Sequence, residues 1–435
     1  MYTFKLKDYH AVKEAEIKID GITVLAGVNG SGKSTLSRWL YYLVNAMHNF
    51  ELYQRKYFIN SLIQEVDKLQ RVFMASPQYG TYTVVKKQLM EFCTSEELYA
   101  NELHEVYFSF VDKVESDLAE YMKKNAHSGR LLRFLLGEEF QTIQDNQEVL
   151  NLVLKRCKET YDKGHEVYQD KIKTYRRADL ANVVSAEYSD GEQIPANVNL
   201  TEGETPLLES ATFTPPLMLS RVIYVDTPMA VSSRKSISNG NNTWNSFAKF
   251  LYDVNPRRMP LPTDRLDIQI QSVIGGSIKL KDDKFGYNRE IRFDSKEQGI
   301  DIPIDDAATG VKTFAYMAQL LHNGWLDKET LLLIDEPEAH LHPQWIVEFA
   351  RLLVKIHKEL GVKILIASHN PDMIAAIQSI AMKEDVIDDT VFYLAEKEKD
   401  DTKYAFSDKG TEIGDIFSSF NIALSRIEMY GSTNS

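Results

Sequence analysis

The chain has 435 residues, 43% hydrophobic and 26% charged, enough for two or three domains with a full core and too apolar for a disordered chain. A formal net charge of −13 argues against wholesale attraction to nucleic acid, although a local basic strip can escape that sum. Two distant cysteines, Cys93 and Cys157, exclude a disulfide framework or a Cys-x-x-Cys zinc site and point to a reducing cytoplasm; no apolar run approaches the ~18 residues of a membrane span, and the start reads as a strand, not a signal peptide.

Residues 2–26 predict a β-hairpin and then a buried strand: Ala15, Ile17 and Ile19 alternate with charges before Gly21, and Ile22-Thr-Val-Leu-Ala26 is nearly all apolar. Gly27-Val-Asn-Gly-Ser-Gly-Lys-Ser-Thr35 follows, leading into the helical run Leu36–Tyr41. Strand, glycine-rich turn and helix in that order form a phosphate-binding loop. Successive backbone N–H groups from Asn29, Gly30, Ser31, Gly32, Lys33, Ser34 and Thr35 curl around a β-phosphate at a helix N-terminus. Lys33 reaches the β/γ-phosphates and the Ser34 hydroxyl ligates Mg²⁺. The chain is therefore expected to bind a nucleoside triphosphate.

Composition changes after the first helix. There is no proline between Gln78 and Ile194, and Leu103, Val106, Tyr107, Phe110, Val111, Val114, Leu118 and Tyr121 fall at helical spacing, as do Val149, Leu150, Val153, Leu154 and Tyr161. We expect 50–215 to be an all-helical insertion, broken by Gly129, Gly137 and Gly164 into a compact bundle or short hairpin. It carries 19 lysines and arginines against 27 acids, so it makes a poor DNA clamp as a whole. Its best basic run, Lys171-Ile-Lys-Thr-Tyr-Arg-Arg177, reads as a DNA contact or as a solvated helix face. Pro206–Pro216 reads as an exit linker, and Ser232–Thr243 as a mobile loop.

The strand Arg221–Val225 re-enters the first domain, giving boundaries of 1–49, 50–215 and 216–435. Ser277–Leu280, Glu290–Phe293 and Gly299–Ile304 read as antiparallel strands. Thr330–Ile334, Trp345–Glu359, Val362–Ala367, Pro371–Met382 and Thr390–Leu394 alternate strand with helix, the pattern of a parallel sheet covered on both faces. Two of these strands end in chemistry. Leu331-Leu-Leu-Ile-Asp-Glu-Pro-Glu338 delivers Asp335, a Mg²⁺ ligand, and Glu336, placed to polarise the attacking water. Lys363-Ile-Leu-Ile-Ala-Ser-His369 ends in a histidine able to sense a γ-phosphate. Asp306-Ala-Ala-Thr-Gly-Val-Lys-Thr313 places Thr309 and Gly310 at a helix start, a second anion-binding device or an ordinary cap.

Together these residues resemble the ATPase heads of the ABC superfamily, in particular those of chromosome-maintenance and double-strand-break-repair ATPases. The run Glu336-Pro-Glu-Ala-His-Leu-His-Pro343 is similar to that of overcoming-lysogenization-defect nucleases and of stand-alone AAA-type ATPases in the Septu, PARIS and retron-associated anti-phage systems. The resemblance covers about 1–48 and 217–430. It implies an α/β P-loop NTPase of ABC-ATPase type, with an antiparallel β subdomain and an inserted all-α domain. It also implies that Lys33, Ser34, Asp335, Glu336 and His369 of one subunit meet Thr309 and Gly310 of another across ATP and Mg²⁺.

Two departures stand out: Thr309-Gly-Val-Lys312 replaces the transporters' Ser-Gly-Gly-Gln, and Asp226-Thr-Pro228 stands where a Mg²⁺-sensing glutamine is usual, with Asp226 a candidate substitute. His340 and His342 invite a metal reading, but the family puts this run at a dimer junction. About 65 residues follow His369, without a convincing nuclease constellation (Asp385, Asp388 and Asp389 read as a solvated turn). The expected function is thus a slow ATPase, dimeric or larger, gating a separate effector in anti-phage defence. The alternative is a DNA-repair ATPase with the insertion as a short arm; a transporter subunit or P-loop kinase fits poorly.

Overall fold

The computed structural model describes residues 1–74, 79–94, 100–124, 145–226, 242–256, 264–282, 289–398 and 401–420. The chain forms two compact units, one of residues 1–48 and 180–435, the other of residues 49–179.

The first unit begins with the hairpin β1 (Tyr2–Tyr9) and β2 (Val12–Ile19), then β3 (Ile22–Ala26) and α1 (Lys33–His48). The second unit holds α2 (Phe50–Val72), α3 (Tyr79–Thr94), α4 (Ala100–Lys124) and α5 (Asn146–Thr174). Its core is built from the expected stripes: Leu103, Tyr107, Phe110, Val111, Val114 and Leu118 of α4 meet Val149, Leu150, Val153 and Tyr161 of α5. Gly129 and Gly137 lie outside the described residues. Gly164 gives α5 its close approach to α2, because a Cβ there would lie 2.7 Å from the Phe58 ring. The basic run closes α5: Tyr175 caps it in the left-handed conformation, Lys171 pairs with Asp179 at 3.2 Å, and Arg176 with Asp170 at 2.8 Å.

Helix α6 (Arg177–Glu187) brings the chain back, and the first unit resumes with β4 (Val198–Glu202), β5 (Thr205–Pro206) and β6 (Arg221–Val225). Here the fold differs from the sequence expectation. The helical unit closes at Asp179 rather than at 215, and β4 pairs antiparallel with β1, Leu200 opposite Phe4. Only Val198 and Leu200 turn inward on β4, too short an alternation to announce a strand. Pro206–Pro216 is no free linker either: Leu207, Leu208 and Phe213 are buried, and Leu208 bridges Phe213.

Next come α7 (Asn242–Tyr252), α8 (Asp264–Ile274), the antiparallel strands β7 (Ser277–Asp282), β8 (Arg289–Ser295) and β9 (Ile300–Pro303), and α9 (Thr309–His322). The expected loop Ser232–Thr243 lies almost entirely outside the described residues. The chain then alternates: β10 (Thr330–Asp335), α10 (Pro343–Leu360), β11 (Lys363–Ser368), α11 (Pro371–Lys383), β12 (Thr390–Glu396), β13 (Tyr404–Asp408) and α12 (Gly414–Phe420). Helix α12 is described as far as Phe420.

One ten-stranded sheet runs β5-β4-β1-β2-β13-β12-β3-β11-β10-β6. Its segment β12-β3-β11-β10-β6 is parallel throughout. Every residue of β3 and β10 is buried, which explains why these strands read as unbroken apolar runs: helices cover both faces. Parallel register aligns the carboxyl ends of β3, β11 and β10, with Ser368 opposite Ala26 and Asp335 opposite Ala367. Among the described residues no helix is long and apolar enough to cross a membrane.

Candidate active site

The β3–α1 connection is shaped by backbone demands. Gly30 and Gly32 take φ of +78° and +96°, the left-handed region that disfavours side chains. At Gly32 space forbids one as well, because a Cβ would lie 2.7 Å from Val12 Cγ2 at the start of β2. Lys33 opens α1 with its ammonium buried, donating to the Gly27 carbonyl at 2.8 Å and the Val28 carbonyl at 2.9 Å. Burial lowers its pKa, while Glu336, Glu338 and Asp335 pull it up. The Ser31 hydroxyl is buried without a hydrogen-bond partner. Asn29 and Gly30 are exposed, and Ser34 and Thr35 half-buried.

The facing wall is acidic. Asp335 is 2% exposed at the tip of β10; its Oδ2 accepts from the Tyr224 hydroxyl at 2.8 Å, and its Oδ1 is buried with no partner. Burial raises its pKa, opposed by the Tyr224 hydrogen bond and the neighbouring Ser37 and Ser34 hydroxyls and reinforced by Asp226. Ser34 and Asp335, the two expected Mg²⁺ ligands, are thus close together. A hydroxyl beside an orphaned carboxylate oxygen is the hard-oxygen donor set Mg²⁺ prefers, so these residues fit the ion. Asp226 lies 3.6 Å from Arg38, and Arg38 Nε also donates to the Tyr224 hydroxyl at 3.3 Å.

Glu336 follows in the left-handed region at φ +48°, its N–H bonded to the Ala367 carbonyl at 2.8 Å. A glutamate held there is strained, a cost typical of functional turns. Its Oε1 is 3.7 Å from His369 Nδ1 at the tip of β11. Glu338 sits closer to that ring, 3.4 Å from Nδ1, and is almost fully buried.

The structure therefore brings Lys33, Ser34, Asp335, Glu336 and His369 together. Thr309 and Gly310 lie at the first turn of α9, whose neighbours include α7, α8 and β7. Gly310 is a packing necessity, since a Cβ there would lie 2.8 Å from the Trp345 ring and 3.3 Å from Leu341 Cδ2. His342 caps α10, its Nδ1 accepting from the Gln344 N–H at 3.3 Å. Among the described residues no group of three His, Cys, Asp or Glu could hold a metal ion.

Sequence reasoning gave no role to Tyr224, Glu338, Ser368 or the β1–β2 turn. Glu338 was visible as the third carboxylate of its run, and Tyr224 as the one hydroxyl on its strand. In the turn beside Gly32, Tyr9 stacks on His10 at 4.0 Å and meets Trp39 edge-on at 5.6 Å, which no local pattern announces.

An apolar parallel strand feeding a glycine-shaped loop and helix, opposite carboxylates on neighbouring strand tips, defines an α/β P-loop nucleoside triphosphatase. The chain belongs to the AAA ATPase domain family, whose match spans residues 1–374. Its curated relatives include the energy-coupling factor transporter ATP-binding proteins EcfA3 and EcfA2 of Clostridium perfringens, 31% and 30% identical over 105 residues. The match covers 24% of this chain and 36%, about a third, of each relative. Among solved structures it is similar to the Smc head domain of Pyrococcus furiosus (11% identity, 98% of this chain and 100% of that one, TM-score 0.35). It is also similar to the SMC head domain of Thermotoga maritima (11% identity, 93% and 97%, TM-score 0.36).

Proposed function

We propose that this chain is a Mg²⁺-dependent, ABC-type ATPase head that closes on ATP as a homodimer or larger homo-oligomer and gates a separate effector protein. The observation that carries the ATPase reading is the meeting of Lys33, Ser34, Asp335, Glu336 and His369 at three adjoining strand tips. Lys33 exchanges its loop carbonyls for β/γ-phosphate oxygens, and the loop N–H groups from Asn29 to Thr35 cradle the β-phosphate. Ser34 and Asp335 hold Mg²⁺, which supplies charge neutralisation at the phosphates. Glu336 orients and deprotonates the attacking water, and His369 contacts the γ-phosphate. Thr309 and Gly310 present the α9 N-terminus to the nucleotide of a second subunit. Hydrolysis is slow because Val311-Lys312 replaces the usual glycine and glutamine.

Gating of a nuclease or toxin in bacterial anti-phage defence rests on the likeness of the 336–343 run to stand-alone defence ATPases. DNA as a partner has less support: the chain is acidic, and Lys171 and Arg176 already carry acidic partners.

Glu336→Gln tests the reading. With ATP and Mg²⁺ its hydrolysis should fall by about 10²–10⁴ while binding persists, and its mass by light scattering should rise at least to that of a dimer. A monomer hydrolysing at the wild-type rate would overturn both roles. Severalfold stimulation by duplex ends, suppressed by salt, would favour the DNA-repair reading.

A further inference from the structure

Glu338 is withdrawn from solvent, its side chain 4% exposed, whereas the Glu336 side chain is 38% exposed. A single oxygen, Oε1, does most of its bonding. It accepts from the Ser368 hydroxyl at 2.8 Å and the His369 N–H at 3.1 Å, and lies 3.4 Å from His369 Nδ1. That last approach is longer and less aligned than a formed hydrogen bond, as catalytic contacts often are before substrate arrives. Ser368 in turn accepts from the Asn370 N–H at 3.1 Å, and the Asn370 side chain caps α11 through Asp372 and Met373. Glu338 thus ties the loop after β10 to the tip of β11 and the helix beyond.

A buried carboxylate is an expensive way to satisfy one hydroxyl and one N–H, which a neutral amide would serve as well. What the negative charge adds is a preference at the imidazole: Nδ1 carries the proton, and Nε2 is left as the free, oriented nitrogen. We propose that Glu338 is the positioning residue for His369, fixing its ring orientation and keeping the proton on Nδ1, which leaves Glu336 free for the attacking water. This rests on the reading of His369 as a γ-phosphate contact.

The test uses the full chain with isotope-labelled histidine, ATP turnover and ring-nitrogen NMR. Glu338→Gln keeps an oxygen for Ser368 and the His369 N–H, so the fold is retained while the charge is lost. It should lower kcat on the order of tenfold with KM within about twofold, the kinetic equivalent of one charge-assisted hydrogen bond. The His369 proton should shift from Nδ1 toward Nε2, the tautomer free imidazole side chains favour. Glu336→Gln should slow turnover without moving that signal. Wild-type turnover in Glu338→Gln overturns the proposal, and so does slow turnover with an unmoved ring signal, which assigns Glu338 to scaffolding alone. Wild-type turnover in His369→Ala instead overturns the underlying site reading.

Discussion

The helical unit and the ATPase unit treat buried polar groups in opposite ways. In the helical unit Glu65, 7% exposed, is clasped by Arg156 at 3.0 Å and Lys68 at 2.7 Å, and Asp117 receives the Tyr82 hydroxyl at 3.4 Å. In the ATPase unit unpartnered buried atoms also occur on Asn199, Ser220, Gln269 and Gln319, but four of them, Ser31 Oγ, Asp335 Oδ1, Glu338 Oε2 and His369 Nδ1, gather at the phosphate loop and the strand tips. Native interiors rarely leave such groups unmet, so a cluster of them marks where a ligand completes the structure. The helical unit's buried acids are paired within that unit, whereas Asp335 and Glu338 in the ATPase unit each keep one unpaired carboxylate oxygen.

The sharpest way to break this contrast is Asp335→Asn. Hydrolysis should fall on the order of a thousandfold, the loss of an ion's stabilisation of transition-state charge. The metal-free protein should nevertheless melt about 2–4 °C higher. The sign follows from the raised pKa of Asp335: the folded state holds that proton more tightly than the unfolded chain does. Wild-type stability therefore declines as pH climbs from the ordinary carboxylate range through the raised value, and the variant's advantage disappears in acid. Thermal melts across a pH series check it. A variant less stable at neutral pH would mean Asp335 serves the fold.

Gly310→Ala comes next. Its methyl group collides with the Trp345 ring and should cost about 1–3 kcal/mol. In a double-mutant cycle, Trp345→Leu should absorb much of that cost, so the pair is less damaging than the sum of its parts. Additive losses would dismiss the packing explanation. The smallest change is Glu65→Gln, expected to destabilise by about 1–2 kcal/mol in urea titrations with turnover per folded molecule unaltered. A gain in stability there would erase the distinction between the two units.

The candidate site was legible where its chemistry lies in short runs directly after a strand. Gly27–Thr35, Asp335-Glu336 and His369 each terminate a parallel strand, so strand order alone delivers them to one edge. What stayed hidden depends on pairing across the sheet. Tyr224 meets Asp335 across 111 residues of sequence, and Glu338 meets Ser368 across 30. Those partners are neighbours only because β6, β10 and β11 run in parallel register. The short strands β4 and β5 at one end of the sheet were missed for a related reason. A short strand with two inward side chains, such as β4, has little hydrophobic period, and its identity comes from its partner β1. The helical unit was readable because its stripes are long and self-contained, although the end of the insertion was not.

The chain leaves the ATPase unit after His48 and returns at Leu180. Within that unit the Tyr188 ring packs edge-on against Tyr41 at 5.8 Å, and its hydroxyl accepts from Asn45 at 2.8 Å. The gap between departure and return is therefore stitched by the head's own residues. Whatever lies between is thermodynamically a loop, and lengthening such a loop costs only about 0.6 kcal/mol per doubling. A head closed in this way is a socket: evolution or an engineer can exchange the cassette between His48 and Leu180 without rebuilding the ATPase unit that flanks it.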